Sequence, residues 1–139
     1  MNVSAIIYRK ELIGGERMDV PAKLFGIQFG LLLEPVIYAF ANQLSPEYQG
    51  GLWIMYTLSN GAFYMAPDTE KYFKVASPNG NEAILSSDAL GITACLFAYS
   101  QLSFTASPAF AEVCAEQFHQ LREYMLDQPE AEGILGIID

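Results

Sequence analysis

The side chains of this 139-residue sequence best suited to chemistry are one histidine, His119, two cysteines, Cys95 and Cys114, and the close carboxylates Asp68 and Glu70. A single histidine excludes the commoner multi-histidine metal sites and leaves any histidine-based triad dependent on His119 alone. At helical spacing His119 borders Glu116 and Glu123, where a solvated helix residue is the ordinary outcome. Asp68 and Glu70 have the types needed for acid and base work, but a solvated loop is the common fate of such a pair. The cysteines lack CxxC spacing and fall in segments with helical character, so free buried thiols are expected in preference to a disulfide. No GxxxxGKS/T, GxGxxG, HExxH or GxSxG run occurs. A small enzyme using Asp68, Glu70 or His119 is therefore the lesser reading, and no catalytic residue, metal ligand or cofactor is assigned.

The elements that must position these groups follow from periodicity and breakers. Residues 1–20 contain Gly14 and Gly15 and suggest an N-terminal arm or edge, with a single domain over 21–139. From Pro21 to Leu44 the chain is mostly apolar, and Pro35 suggests two helices meeting there, with Val36, Ile37, Phe40 and Leu44 facing inward. Residues 52–58, LWIMYTL, and then AFYMAP flank Ser59, Asn60 and Gly61, the pattern of a β-hairpin. An Asn-Gly pair predicts a two-residue type I′ turn with positive φ at both positions. Further strands are expected at Tyr72–Ala76 and around Glu82–Leu85, completing a small antiparallel meander of three to four strands.

Ser86, Ser87 and Asp88 offer capping oxygens before ALGITACLFAYSQL, which is apolar on nearly every side and should be a buried central helix. Ser107 and Pro108 open a long helix to about Asp127, and Pro129 precedes a short terminal one. On the long helix Val113, Cys114, Phe118, Leu121, Tyr124 and Met125 share one face, with Glu112, Glu116, Glu123 and Asp127 opposite. The expected fold is α+β: one meander packed with about four to five helices.

Hydrophobic residues make up 52% of the chain and charged ones 17%, ample for a core. The net charge of −9 repels phosphate backbones and anionic lipid, which argues against direct nucleic-acid or membrane binding. The imbalance reflects scarce Lys and Arg more than dense acids, which weakens a DNA-mimic reading based on the C-terminal acids. No run approaches the roughly 20 apolar residues of a membrane span. Basic residues follow the first apolar run instead of preceding it, the wrong order for a secretory signal, so a cytoplasmic setting is expected. Two surfaces are candidates for partner binding. One is the stripe Glu112, Glu116, Glu123 and Asp127, able to steer a basic partner. The other is the aromatic hairpin with Trp53, Tyr56 and Tyr64, for which core packing is the stronger alternative.

The run GGLWIMYTLSNGAFYMAPD, Gly50–Asp68, resembles the signature of antirestriction proteins of the ArdB/KlcA type. The likeness extends upstream through EPVIYAFANQLSPEYQGG and downstream through SSDALGITACLFAYSQLSF. The chain departs from that pattern at Ala62, where Gly is frequent, and at Thr57, where a more polar residue is frequent; its first twenty residues match nothing in it. The resemblance implies a mixed fold, carriage on plasmids or genomic islands, and relief of type I restriction of incoming DNA. It also implies no established catalytic residue or cofactor, and a charge layout unlike DNA. Taken with the thin chemical inventory, the leading reading is protein–protein contact with a type I restriction enzyme or with a host factor controlling it.

Overall fold

The computed structural model describes residues 6–139, in which two small antiparallel sheets are packed with five α-helices. Strands β1 (Arg9–Glu11), β2 (Trp53–Leu58) and β3 (Phe63–Pro67) form one sheet in that order. Strands β4 (Tyr72–Ala76) and β5 (Glu82–Ser86) form a separate hairpin. The expected single meander is thus divided in two.

The division has a physical cause at the outer edge of β3, where a fourth strand would have to pair. That edge is met by helix α3 (Ser87–Thr105) and helix α4 (Pro108–Leu126). Tyr99 donates its hydroxyl to the Phe63 carbonyl at 2.7 Å, and Cys95 its thiol to the Met65 carbonyl at 3.6 Å. The Phe63 N–H donates to Gln117 Oε1 at 2.8 Å, and Gln117 Nε2 donates to the Gly61 carbonyl at 3.1 Å. Buried backbone groups must be paired, and here side chains replace a strand. Every residue of β3 is buried, and α3 lies so close that a Cβ built on Gly91 would fall 2.4 Å from the Met65 carbonyl oxygen and the Ala66 Cβ.

The hairpin turn corrects the Asn-Gly expectation. Gly61 has φ 96°, but among the described residues no non-glycine has positive φ, so Asn60 does not share that conformation. Gly61 N–H donates to the Leu58 carbonyl at 2.9 Å and Leu58 N–H to the Ala62 carbonyl at 2.8 Å. This is a three-residue loop closed by a glycine bulge. Asn60 is free to use its side chain elsewhere, and its Nδ2 donates to the Gln120 carbonyl on α4 at 2.8 Å.

Helix α1 (Glu16–Phe25) begins before Pro21, which lies buried inside it. The chain then turns by 94° at Gly26, whose φ is 63°, so the sharp break falls there and not at Pro35. A π-helical turn, Phe29–Leu33, leads directly into α2 (Glu34–Leu44), with Pro35 in its first turn. Proline cannot donate to the ladder, and a wider turn just before it lets the helix continue without that bond. Ile37, Ala41 and Leu44 are the buried face of α2; Val36 and Phe40 are half-buried, Phe40 stacking on Phe97 at 5.4 Å.

Helix α3 runs through the centre of the core, capped by Ser86, whose Oγ accepts from the Ala89 N–H at 3.2 Å. Helix α4 packs beside it through Cys114, Leu121 and Met125, and α5 (Ala131–Ile138) closes over β5 through Ile134 and Ile137. Among the described residues no single helix is long and apolar enough to cross a membrane.

Two outcomes follow from the α3–β3 contact. Gly91→Ala forces helix and strand apart and should cost about 3 kcal/mol, the upper end of ordinary overpacking. Its melting temperature should fall by about 10 °C, and an unchanged value would contradict the close approach. The second concerns Cys95, whose thiol burial pushes up from 9.0 to about 12. Its contribution to stability is complete below the unfolded value and is lost as pH rises towards the folded one. The wild-type melting temperature should therefore decline more steeply between pH 8.5 and 10 than that of Cys95→Ala; equal slopes would exclude a buried thiol.

Candidate functional site

The outer face of α4 presents Glu112, Glu116 and Glu123, and Asp127 caps its C-terminal end; all four are exposed, with His119 exposed among them. None of the four acids has an ion-pair partner among the described residues. The apolar face beneath is buried, so the helix is held rigidly while its carboxylates stay in water. The other C-terminal acids are not equivalent to these. Glu130 turns inward, accepting from the Ser86 N–H at 2.8 Å and from the Ser86 hydroxyl, and so anchors the start of α5 to the start of α3.

The hairpin aromatics proposed as contacts are core residues: Trp53 is 4% exposed, Tyr56 7% and Tyr64 0%. Strand alternation requires one set to face away from the helices, yet both sets are covered. Trp53 Nε1 donates to the Tyr48 hydroxyl at 2.8 Å, and the Trp53 ring meets Tyr38 edge-on at 5.1 Å. On the other face Tyr56 stacks on Tyr64 at 5.0 Å, and Tyr64 lies 6.0 Å from Tyr124 on the inner side of α4. The acidic stripe and Tyr64 therefore lie on opposite sides of α4.

A polar cluster that sequence reasoning did not assemble joins β1 to α3. The Arg9 guanidinium lies 4.2 Å over the Tyr56 ring centroid, and its Nη1 donates to the Tyr64 hydroxyl and to Asp88 Oδ1, both at 3.0 Å. Tyr64 itself donates to the same Asp88 oxygen at 2.8 Å. Burial, with the Asp88 carboxylate beside it, holds the Tyr64 hydroxyl far above the ordinary phenol range. It remains a hydrogen-bond donor at neutral pH. Arg9 and Asp88 are 79 positions apart, so no local pattern signals the pair.

Arg9, Tyr56 and Asp88 of this cluster line an open cleft of about 640 Å³, whose other lining residues include Ile54, Ala66, Pro67, Asp68, Glu70 and Ser87. Asp68 and Glu70, the carboxylates with acid and base potential, thus share a cavity with Asp88, while His119 lies elsewhere on α4. Ser87 spends its hydroxyl on the Thr69 carbonyl at 2.5 Å. Among the described residues no three His, Cys, Asp or Glu side chains converge to hold a metal ion. The cleft offers carboxylates and an aromatic-backed guanidinium, chemistry suited to holding a charged group.

Residues 46–139 match the model of a family described as antirestriction protein. The KlcA antirestriction protein of Escherichia coli is 36% identical over 126 residues, covering 89% of each chain. The uncharacterised protein YafX of Escherichia coli K12 is 40% identical over 128 residues, covering 89% of this chain and 82% of its own. A solved structure superposes with a TM-score of 0.89 at 34% identity over the full length of both chains. It comes from work on the KlcA and ArdB proteins, described as showing a novel fold and antirestriction activity against type I DNA restriction systems in vivo but not in vitro. The chain belongs to the antirestriction protein family of the KlcA and ArdB type.

Proposed function

We propose that this protein relieves type I restriction of incoming DNA by contact with the restriction enzyme or with a host factor controlling it, and not by catalysis. The observation that carries the contact reading is the one-sided face of α4. Residues 112–139 contain the acids at 112, 116, 123, 127, 130, 132 and 139 against one base, Arg122. Glu112, Glu116 and Glu123 project from a helix whose opposite side is locked in the core, with Asp127 at its C-cap, so the field towards a basic partner is fixed in direction. The solved relative acts in vivo but not in vitro. That pattern favours a target, or a state of the target, present only in the cell. A cytoplasmic location follows from that target.

Charge spacing argues against imitation of DNA. From Glu112 to Asp127 the helix advances about 22 Å, a length over which duplex DNA carries about 13 phosphate charges. Four carboxylates do not reproduce that density. Direct DNA binding is opposed by the net charge of −9.

Expression in a host with an active type I system should restore plating of unmodified phage, and unchanged plating at high expression would remove the assignment. Replacing Glu112, Glu116, Glu123 and Asp127 together with Gln should lower this relief while leaving the melting temperature within about 2 °C, since surface changes usually stay near 0.5 kcal/mol. Full relief in that variant would place the contact elsewhere. The purified protein should leave duplex DNA unshifted on a gel at about 50 mM salt, conditions that expose even weak phosphate binding.

A further inference from the structure

Residues 35–46 and 89–111 contain no Asp, Glu, Lys or Arg. The fold lays these two uncharged stretches side by side in α2 and α3, with Phe40 of one helix stacked on Phe97 of the other at 5.4 Å. The one charged residue of α2, Glu34, accepts from the Tyr38 hydroxyl, and Tyr38 turns to Trp53 on the far flank of the helix. The one charged residue of α3, Asp88, lies at its start and is engaged by Arg9. A chain of net charge −9 thus has a neutral seam along α2 and α3, where the field that repels another acidic surface is weakest.

On α3 the seam presents half-buried Phe97 and Ser100 and exposed Gln101 and Phe104, the i, i+3, i+4, i+7 stripe by which a helix meets a neighbour. A lone exposed phenylalanine is an ordinary surface residue. Phe104, 86% exposed, differs in having a socket on its own stripe. Two turns back, Phe97 and Phe40 with Leu44 and Pro78 line a hollow of about 250 Å³, larger than the roughly 150 Å³ that holds a benzene ring. A second, shallower hollow shares Phe40 and reaches Gln101. A two-fold axis between Ser100 and Gln101 sets a second α3 antiparallel to the first, with Phe104 of each copy over Phe97 of the other. The same axis brings the Ser100 hydroxyl beside the other copy's Gln101 amide. Both groups are free to bond there, since Ser103 and Thr105 donate to the backbone carbonyls of these residues and not to their side chains. The stripe therefore carries both knob and socket in the order a two-fold needs, whereas a partner of another kind would leave Phe104 in water.

We propose that the seam of α2 and α3 is the interface of a homodimer, with Phe104 of each copy seated against Phe40 and Phe97 of the other. The contact is small, so the dimer is weak and forms as concentration rises. The acidic stripe of α4 lies outside it: the α4 residues beside the seam are Phe118 and Arg122, which share a hollow with Phe97 and Ser100. A pair therefore carries two stripes open to a basic partner.

The test is sedimentation equilibrium of the full chain between about 10 µM and about 1 mM, the span of weak association, over which the mass should rise towards twice that of one chain. Raising salt from about 50 mM to about 500 mM should strengthen the pair, because the charge between two copies of net −9 is only repulsive. Phe104→Ala should weaken pairing at least about tenfold with an unchanged melting temperature, since the ring is solvated in the single chain. Gln101→Glu should weaken it as well, by setting two carboxylates at the axis. The quadruple Gln variant of the α4 stripe should pair at least as well as wild type. On dilution of labelled protein, the amide shifts should centre on Phe97, Gln101 and Phe104. A single chain at the highest concentration in high salt, a pair that salt breaks, undiminished pairing by Phe104→Ala, or dilution shifts centred elsewhere would each overturn the proposal. A chain that stays single, yet whose Phe104→Ala variant loses restriction relief on plating, would assign the seam to another protein and overturn it too.

Discussion

The closeness of α3 to β3 is the constraint on which the rest of the structure depends. A helix backbone can touch a strand only where a side chain is missing, and Gly91 supplies that gap. Once the two are in contact, Cys95 and Tyr99 on the same helix come within reach of the Met65 and Phe63 carbonyls. The sheet then ends at β3, the next two strands pair with each other, and α4 must lie where Gln117 can serve the remaining edge group. The position of the acidic stripe in space is a consequence of these contacts.

Much of this was legible in the sequence wherever a local period carried it. The hairpin strands, the central helix and the two faces of α4 follow from side-chain spacing, whereas three residues, Ser86, Ser87 and Asp88, could have capped the helix and the structure selects Ser86. Where the same local signal serves two geometries, the reading went astray. Asn-Gly suits a type I′ turn, but it suits equally a loop in which glycine alone takes positive φ and asparagine bonds to a neighbouring helix. Pro35 marked a real irregularity, yet a π-helical turn absorbed it while Gly26 made the bend. The split sheet and the Arg9–Asp88 pair had no local signature, because both depend on residues far apart in sequence.

The candidate surfaces divide along the same line. The α4 stripe is a property of one helix and could be listed from its sequence. That Trp53, Tyr56 and Tyr64 are covered on both faces depends on which elements pack over each side of the hairpin. The cleft needs strand β1, the end of β3 and the start of α3 together, and Glu130 left the acidic surface only because Ser86 lies opposite it.

The distance in sequence between Arg9 and its partners also sets an order of assembly. At about 5 to 20 residues per second, the ribosome needs about 4 to 16 s to add the 79 positions that separate Arg9 from Asp88. Throughout that interval the N-terminal strand lacks one anchor of its ion pair, and for much of it β2 as well. Its short length and its charged Arg9, Lys10 and Glu11 suit a segment that must wait unpaired without recruiting other chains. The nascent protein therefore closes its first sheet at the beginning of the chain only after its middle has been made.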